Sequence, residues 1–238
     1  MSETSEIPDR ADTATGKPRT KKEEQAATAK KAICQATIDC LFKYGYAETS
    51  INRIIERAGI SKGALTHHFA SKEDLGVALT ERFRRRAGHW ASRLVEQQAS
   101  PLQKLDAYIR IQEEVLASGE MICALGILGA EYNALPERMK DSYRDFLEEQ
   151  QTWLGRLLAK GQDQGTFTLS VPPEEMAVLI QSSLQGALQL ARASGRPDRF
   201  HAVVRGIRSG LLKSPTTPGS EEVPGPSGSR RECSERKS

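Results

Sequence analysis

The chain has 238 residues, a formal net charge of +3 and an aromatic content of only 5%. That length supports a sizeable core in one or two domains, built mainly from aliphatic side chains. The longest apolar run, Met121 to Ala130, falls well short of the roughly twenty residues a bilayer span needs, so it reads as a buried helix. The charge is unevenly spread: between Lys17 and Lys72 eleven basic residues stand against five acidic ones. That local surplus exceeds the surplus of the whole chain, so the basic character sits at one end, as in a nucleic-acid reader. The four cysteines, Cys34, Cys40, Cys123 and Cys233, have no C-x-x-C spacing, and Met1 to Gly16 is polar without an apolar h-region. A reducing cytoplasm is the expected compartment.

Residues 1–19 are rich in Ser, Thr, Asp, Glu and Pro and are expected to form a disordered arm with a basic end at Lys17 and Arg19. Thr20-Lys21-Lys22-Glu23 matches a capping box, in which hydroxyl and carboxylate satisfy each other's backbone N–H. The helix it starts runs to about Tyr44, with Ala29, Ile33, Ala36, Cys40, Leu41 and Tyr44 on one face, and Gly45 ends it. A second helix spans about Ser50 to Ala58, with Ile51, Ile54, Ile55 and Ala58 turned inward. Gly59 supplies a turn, and Ser61 caps a third helix whose first turn is Lys62, Gly63 and Ala64 and whose Leu65 and Phe69 face the core. Two short helices joined by a tight turn form a helix-turn-helix, which places the start of its second helix in a DNA major groove.

Ser71-Lys72-Glu73-Asp74 caps a fourth, long helix to about Gln98, whose Arg82, Arg84, Arg85 and Arg86 face solvent or pair with acids. Pro101 opens a further helix, and the pattern stays helical to about Lys213. Breaks fall near Gly119, Pro136, Gly161–Gly165, Pro172–Pro173 and Gly195–Pro197. No strand-type alternation is evident. The predicted fold is therefore all-α, with about nine helices: three in a helix-turn-helix unit at 20–70, the others in a larger helical unit at 71–213. Residues 214–238 read as a disordered tail.

The first turn of the third helix suits close approach to DNA. Gly63 and Ala64 have almost no side chain, the alanine methyl fits against a thymine methyl, and Lys62 can donate to guanine O6 or N7. Thr66 and His67, one turn on, suit phosphate oxygens, as do Thr49 or Ser50 at the start of the second helix. Asn52 reaches a base or a phosphate. Lys72 stands where the chain leaves the DNA, and Lys17, Arg19, Lys21 and Lys22 form a basic arm for backbone or minor groove.

The segment from about Lys22 to Leu75 resembles the DNA-binding domain of the tetracycline-repressor (TetR) family. The resemblance rests on Gly45-Tyr46, Thr49-Ser50, Ile54, Ala58-Gly59-Ile60-Ser61, Gly63-Ala64-Leu65, His67-His68-Phe69 and Ser71-Lys72-Glu73-Asp74-Leu75. This chain has Thr66 where the family usually has tyrosine. The resemblance implies that Asn52, Lys62, Gly63 and Ala64 face bases and that Thr49, Ser50, Thr66, His67 and Lys72 face phosphates. It also implies a ligand-responsive repressor that binds a palindromic operator as a homodimer and is released by a small-molecule inducer. The last two helices, Pro173 to Ala193 and Pro197 to Leu212, would meet those of a mate in a four-helix bundle. Val178, Leu179, Leu184, Ala187, Leu188 and Ala191 would bury either in that bundle or in the subunit core, with Gly186 allowing close helix approach.

A sensing pocket is expected among the fourth to eighth helices, with Trp90, Tyr108, Met121, Cys123, Ile127, Tyr132 and Trp153 as apolar candidates and Gln181 and Gln185 as polar orienters. For each aromatic or aliphatic candidate, core packing is the leading alternative to a place in the pocket. Cys123, near a helix start, is either a reactive thiolate answering to electrophiles or oxidants or an inert buried thiol. His67-His68, adjacent on a helix, point about 100° apart and make a poor chelate. Asp198 and His201 read as a surface contact, so neither a metal nor a cofactor is implied. The chain has no G-x-S-x-G, H-E-x-x-H, phosphate-binding glycine loop or E-x-x-H pair, which leaves an enzyme without a signature. A helical interaction protein without specific DNA binding is the remaining alternative.

Overall fold

A computed structural model describes residues 20–117 and 124–212. The expected arm at 1–19, the tail at 214–238, and Met121 and Cys123 lie outside the described residues. Within them every regular element is helical: α1 (Lys21–Glu48), α2 (Ile51–Ala58), α3 (Lys62–His68), α4 (Lys72–Glu96), α5 (Pro101–Ala117), α6 (Ala124–Ala130), a 3-10 turn (Tyr132–Ala134), α7 (Glu137–Asp163), α8 (Pro173–Ser194) and α9 (Asp198–Leu211). No described helix is long and apolar enough to cross a membrane.

Local chemistry sets most of these boundaries. Thr20 and Glu23 form the reciprocal capping box, with Glu23 N–H donating to the threonine hydroxyl at 3.3 Å and Thr20 N–H to the carboxylate at 2.7 Å. Ser50, Ser61 and Ser71 each accept a backbone N–H three residues on, from Arg53, Ala64 and Asp74. Each such cap stabilises its helix by about 1 kcal/mol. Gly59 takes the left-handed conformation (φ 66°, ψ 34°) that closes α2 and turns the chain into α3.

The first helix departs from its predicted shape. Gly45, at φ 76° and ψ 177°, breaks it, but one further helical turn follows and ends at Glu48. The break resets the helical phase for the residues that follow it, Tyr46 to Glu48. Tyr44, predicted to face inward, is exposed, and Tyr46 is buried in its place.

Two apolar clusters hold the molecule. The first joins Ile33, Cys34, Cys40, Leu41 and Tyr46 of α1 to Ile54, Leu65, Phe69, Leu75 and Leu79. It also takes in Leu128, Leu135, Met139, Tyr143 and Phe146 from α6 and the first half of α7. The second packs Leu105, Tyr108 and Ile109 of α5 with Leu154, Leu157 and Leu158 of α7 and the inner faces of α8 and α9. Helix α4 spans both, with Leu75 and Leu79 in the first cluster and Trp90 against the second. Its middle is tied to α7 by Arg84, which donates to Glu149 and to Glu81, and its start by Arg138 on Asp74 at 2.7 Å.

Near the end of α7, Gly161 is buried with the Phe167 ring where a Cβ would stand. Replacing Gly161 with alanine should therefore overpack the second cluster. We expect a loss of about 1–3 kcal/mol, read as a lowered midpoint in urea with unchanged slope.

Candidate nucleic-acid interface

Ile54 and Leu65 are fully buried and fasten α2 and α3 to α1. That anchoring leaves the opposite faces of the two short helices outward. Asn52 and Arg53 are exposed on α2, and Lys62, Gly63, Thr66 and His67 are exposed on α3, with Ala64 half-buried. Among the described residues only the Ser61 hydroxyl lies near the space a Gly63 Cβ would occupy, at 3.9 Å, so the first turn of α3 is open for backbone approach. The predicted base-facing residues Asn52, Lys62 and Gly63 are thus exposed and Ala64 half-exposed, and the neighbouring Ser50 and His67 are exposed as well.

Three predicted phosphate contacts are placed differently. Thr49 is 1% exposed, and its hydroxyl donates to the Gly45 carbonyl at 2.6 Å. It is a joint between α1 and α2, with no side-chain surface for DNA. Thr66 directs its hydroxyl proton into its own helix, toward the carbonyls of Lys62 (3.2 Å) and Gly63 (3.1 Å). A phosphate needs a donor, and this proton is already engaged. Lys72 turns its ammonium inward: Nζ donates to the Tyr46 carbonyl at 2.6 Å and the Ala47 carbonyl at 3.4 Å and sits 4.1 Å from the centre of the Tyr46 ring. Burial pushes its pKa down, opposed by the carboxylates of Glu131 and Glu48.

One outward feature escaped the sequence pattern. Tyr44 stands exposed beside α2 with the Arg53 guanidinium 4.3 Å and the Lys43 ammonium 5.1 Å from its ring centre. The Lys43 hydrogen bond holds the phenol below its ordinary pKa. This aromatic–cation stack adds positive charge and a planar face to the α2 side of the surface. The residue before Gly45 signals it, since the helix phase stops there.

Residues 33–79 match the sequence model of bacterial regulatory proteins of the tetR family, and residues 101–207 match that of the tetracyclin repressor-like C-terminal domain. The chain belongs to the TetR family. Among its relatives, the transcriptional regulator AcuR of Cereibacter sphaeroides is 28% identical over 187 residues, 76% of this chain and 84% of AcuR. The transcriptional repressor DhaR of a Mycobacterium species is 26% identical over 164 residues, 67% of this chain and 82% of DhaR. A solved TetR-family regulator from Agrobacterium tumefaciens aligns with a TM-score of 0.74 at 27% identity, covering 79% of this chain and all (100%) of that one. TetR-family regulators bind DNA and small-molecule ligands, typically as dimers.

In this TetR-family chain the predicted ligand residues fall into two groups. Trp90, Tyr108 and Trp153 come together between α4, α5 and α7, with the Trp90–Trp153 centroids 5.2 Å apart and Tyr108–Trp153 5.9 Å. Gln181, buried on α8, donates to Gln150 at 3.5 Å, and Gln185 is half-buried one turn on. Tyr132 belongs elsewhere, against the first cluster and 6.1 Å from the Tyr143 ring, and Ile127 is buried in α6. The sequence pattern missed Gln112, one turn from Tyr108 on α5. It is buried, and its side-chain carbonyl oxygen has no hydrogen-bond partner among the described residues.

The open alternative on α8 is resolved by burial. Leu184, Ala187, Leu188 and Ala191 pack inside the subunit, while Val178 and Leu179 face outward with Leu190. Gly186 on α8, and Gly206 and Gly210 on α9, are exposed with open space around them. Asp198 pairs with Arg196 at 2.8 Å, and His201 lies edge-on to Phe200.

Proposed function

We propose that this TetR-family regulator is a repressor that binds an inverted-repeat operator as a homodimer and leaves it when a small molecule enters the helical domain. The observation that carries this reading is the outward first turn of α3, where Lys62, Gly63 and Ala64 are presented beside Asn52 of α2. Lys62 and Asn52 supply hydrogen bonds to base edges, and Gly63 and Ala64 let the backbone come close. Ser50, His67 and the Tyr44–Arg53 stack flank them on the phosphate side.

Two copies are needed because a palindrome presents its half-sites about 34 Å apart on one face of the duplex. The outward stripe of α8, with Leu179, Gly186 and Leu190 at near-helical repeat, is the surface we assign to the mate. Leu179 and Leu190 supply apolar area, and Gly186, Gly206 and Gly210 let partner helices approach. For the inducer, the Trp90–Tyr108–Trp153 group offers stacking surface, and the unpartnered Gln112 oxygen offers an acceptor for a ligand N–H or O–H.

Selection of bound fragments from a genomic pool tests the reading. An inverted repeat should be recovered, and the affinity for it should fall by about 10³-fold or more between 50 and 200 mM salt if six or more phosphates are contacted. Recovery of fragments without a common sequence would refute it.

A further inference from the structure

Glu131 joins two parts of the chain that are far apart in sequence. It follows α6 directly and precedes the 3-10 turn, where its backbone carbonyl accepts from Ala134 N–H but its side chain makes no local cap. The carboxylate reaches back to the turn after Gly45 and accepts the N–H groups of Tyr46 at 3.0 Å and Ala47 at 2.7 Å. Those N–H groups begin the short helical turn that the Gly45 break creates, so they have no helical partners of their own. The approach is close enough that a Cβ at Gly45 would fall on the carboxylate. On the other side of the same turn, the Lys72 ammonium takes the carbonyls of Tyr46 and Ala47. One turn of backbone is therefore held by the end of α6 through its donors and by the start of α4 through its acceptors.

That turn leads straight into the DNA-facing surface. Thr49 closes onto the Gly45 carbonyl, Ser50 caps α2, and α2 carries Asn52. A displacement of the end of α6 would thus be passed through two charge-assisted hydrogen bonds to the base of α2. We propose that Glu131 is a positioning residue for operator binding: it locks the helix-turn-helix to the ligand-binding part of the subunit and so fixes the half-site spacing that the dimer accepts. It touches no DNA itself and acts through Tyr46 and Ala47. This rests on the reading of the protein as a dimeric operator binder.

The test uses the full chain and the operator recovered by genomic selection, together with copies carrying one base pair more or fewer between the half-sites. One added base pair moves a half-site by about 3.4 Å and turns it by about 35°. The wild-type protein should lose about tenfold or more in affinity on either change, a cost in the range of one mismatched base pair. E131Q keeps the shape but only one carbonyl oxygen as acceptor, and E131D withdraws the carboxylate by one methylene. Both should lose less than about threefold on the same spacing changes, with non-specific DNA binding unaltered.

A merely structural role would lower the melting temperature and leave the spacing profile sharp, and that result overturns the proposal. A wild-type protein indifferent to spacing would instead refute the dimeric reading itself. Should both variants fail to fold, amide hydrogen exchange of the wild-type chain decides: Tyr46 and Ala47 N–H should be protected, and free exchange at both would overturn the lock.

Discussion

Replacing Leu179 with glutamate is expected to leave a folded monomer that binds the operator about 10²–10⁴-fold more weakly than the wild type. The side chain is 56% exposed on the outer stripe of α8, so the subunit core has no stake in it. In a two-fold interface the same patch meets itself, and two glutamates would be brought together where two leucines close. Each monomer keeps its α3 surface intact and therefore keeps the intrinsic affinity for one half-site. What is lost is the second contact made at high effective concentration. Sedimentation should report a monomer at concentrations where the wild type is dimeric, and a single half-site should be bound equally by both proteins. A variant that stays dimeric would move the interface to another face.

Lys62→Ala is expected to weaken specific operator binding while leaving non-specific binding nearly unchanged. Lys62 opens α3, is exposed, and makes no ion pair among the described residues, so its loss removes no support from the fold. A good base contact discriminates by about 1–3 kcal/mol. The change occurs in both subunits, so the ratio of specific to non-specific affinity should fall by roughly the square of that single-site factor, about 30-fold or more. Titration of operator and of random-sequence duplex at one salt concentration measures the ratio. An equal loss on both duplexes would place the ammonium on phosphate instead.

These expectations rest on features of unequal legibility. The caps at Thr20, Ser61 and Ser71 and the turn at Gly59 were readable because each depends on residues three or four apart, and the structure has all of them; Ser50, read as the first residue of α2, is its cap as well. Helical periodicity also separated the inner from the outer face of α2. It failed at Tyr44, the last residue before the Gly45 break, whose ring lies outward against Lys43 and Arg53, a contact with α2 that spacing along α1 does not announce. Thr49 and Lys72 were read by residue type as phosphate donors. Their actual partners, the carbonyls of Gly45, Tyr46 and Ala47, are set by how the start of α4 comes to rest on the end of α1. No local pattern announces that packing. Glu131 is the extreme case, since its partners lie 85 and 84 positions away in the chain. The aromatic candidates were proposed as one group, and only three-dimensional packing separates Trp90, Tyr108 and Trp153 from Tyr132, which stacks near Tyr143.

The first apolar cluster draws Leu128, Leu135, Met139, Tyr143 and Phe146 into contact with residues of α1 to α4. It follows that the DNA-reading segment is a poor candidate for transplantation. A chimera that grafts residues 20–70 onto a foreign sensor would carry a bare greasy underside unless the new host offers side chains of matching volume at the ends of its own sixth and seventh helices. If the proposed ligand site at Trp90, Tyr108 and Trp153 holds, rewiring to a different signal should exchange that region instead and keep the stretch from 128 to 146 with the reader it supports.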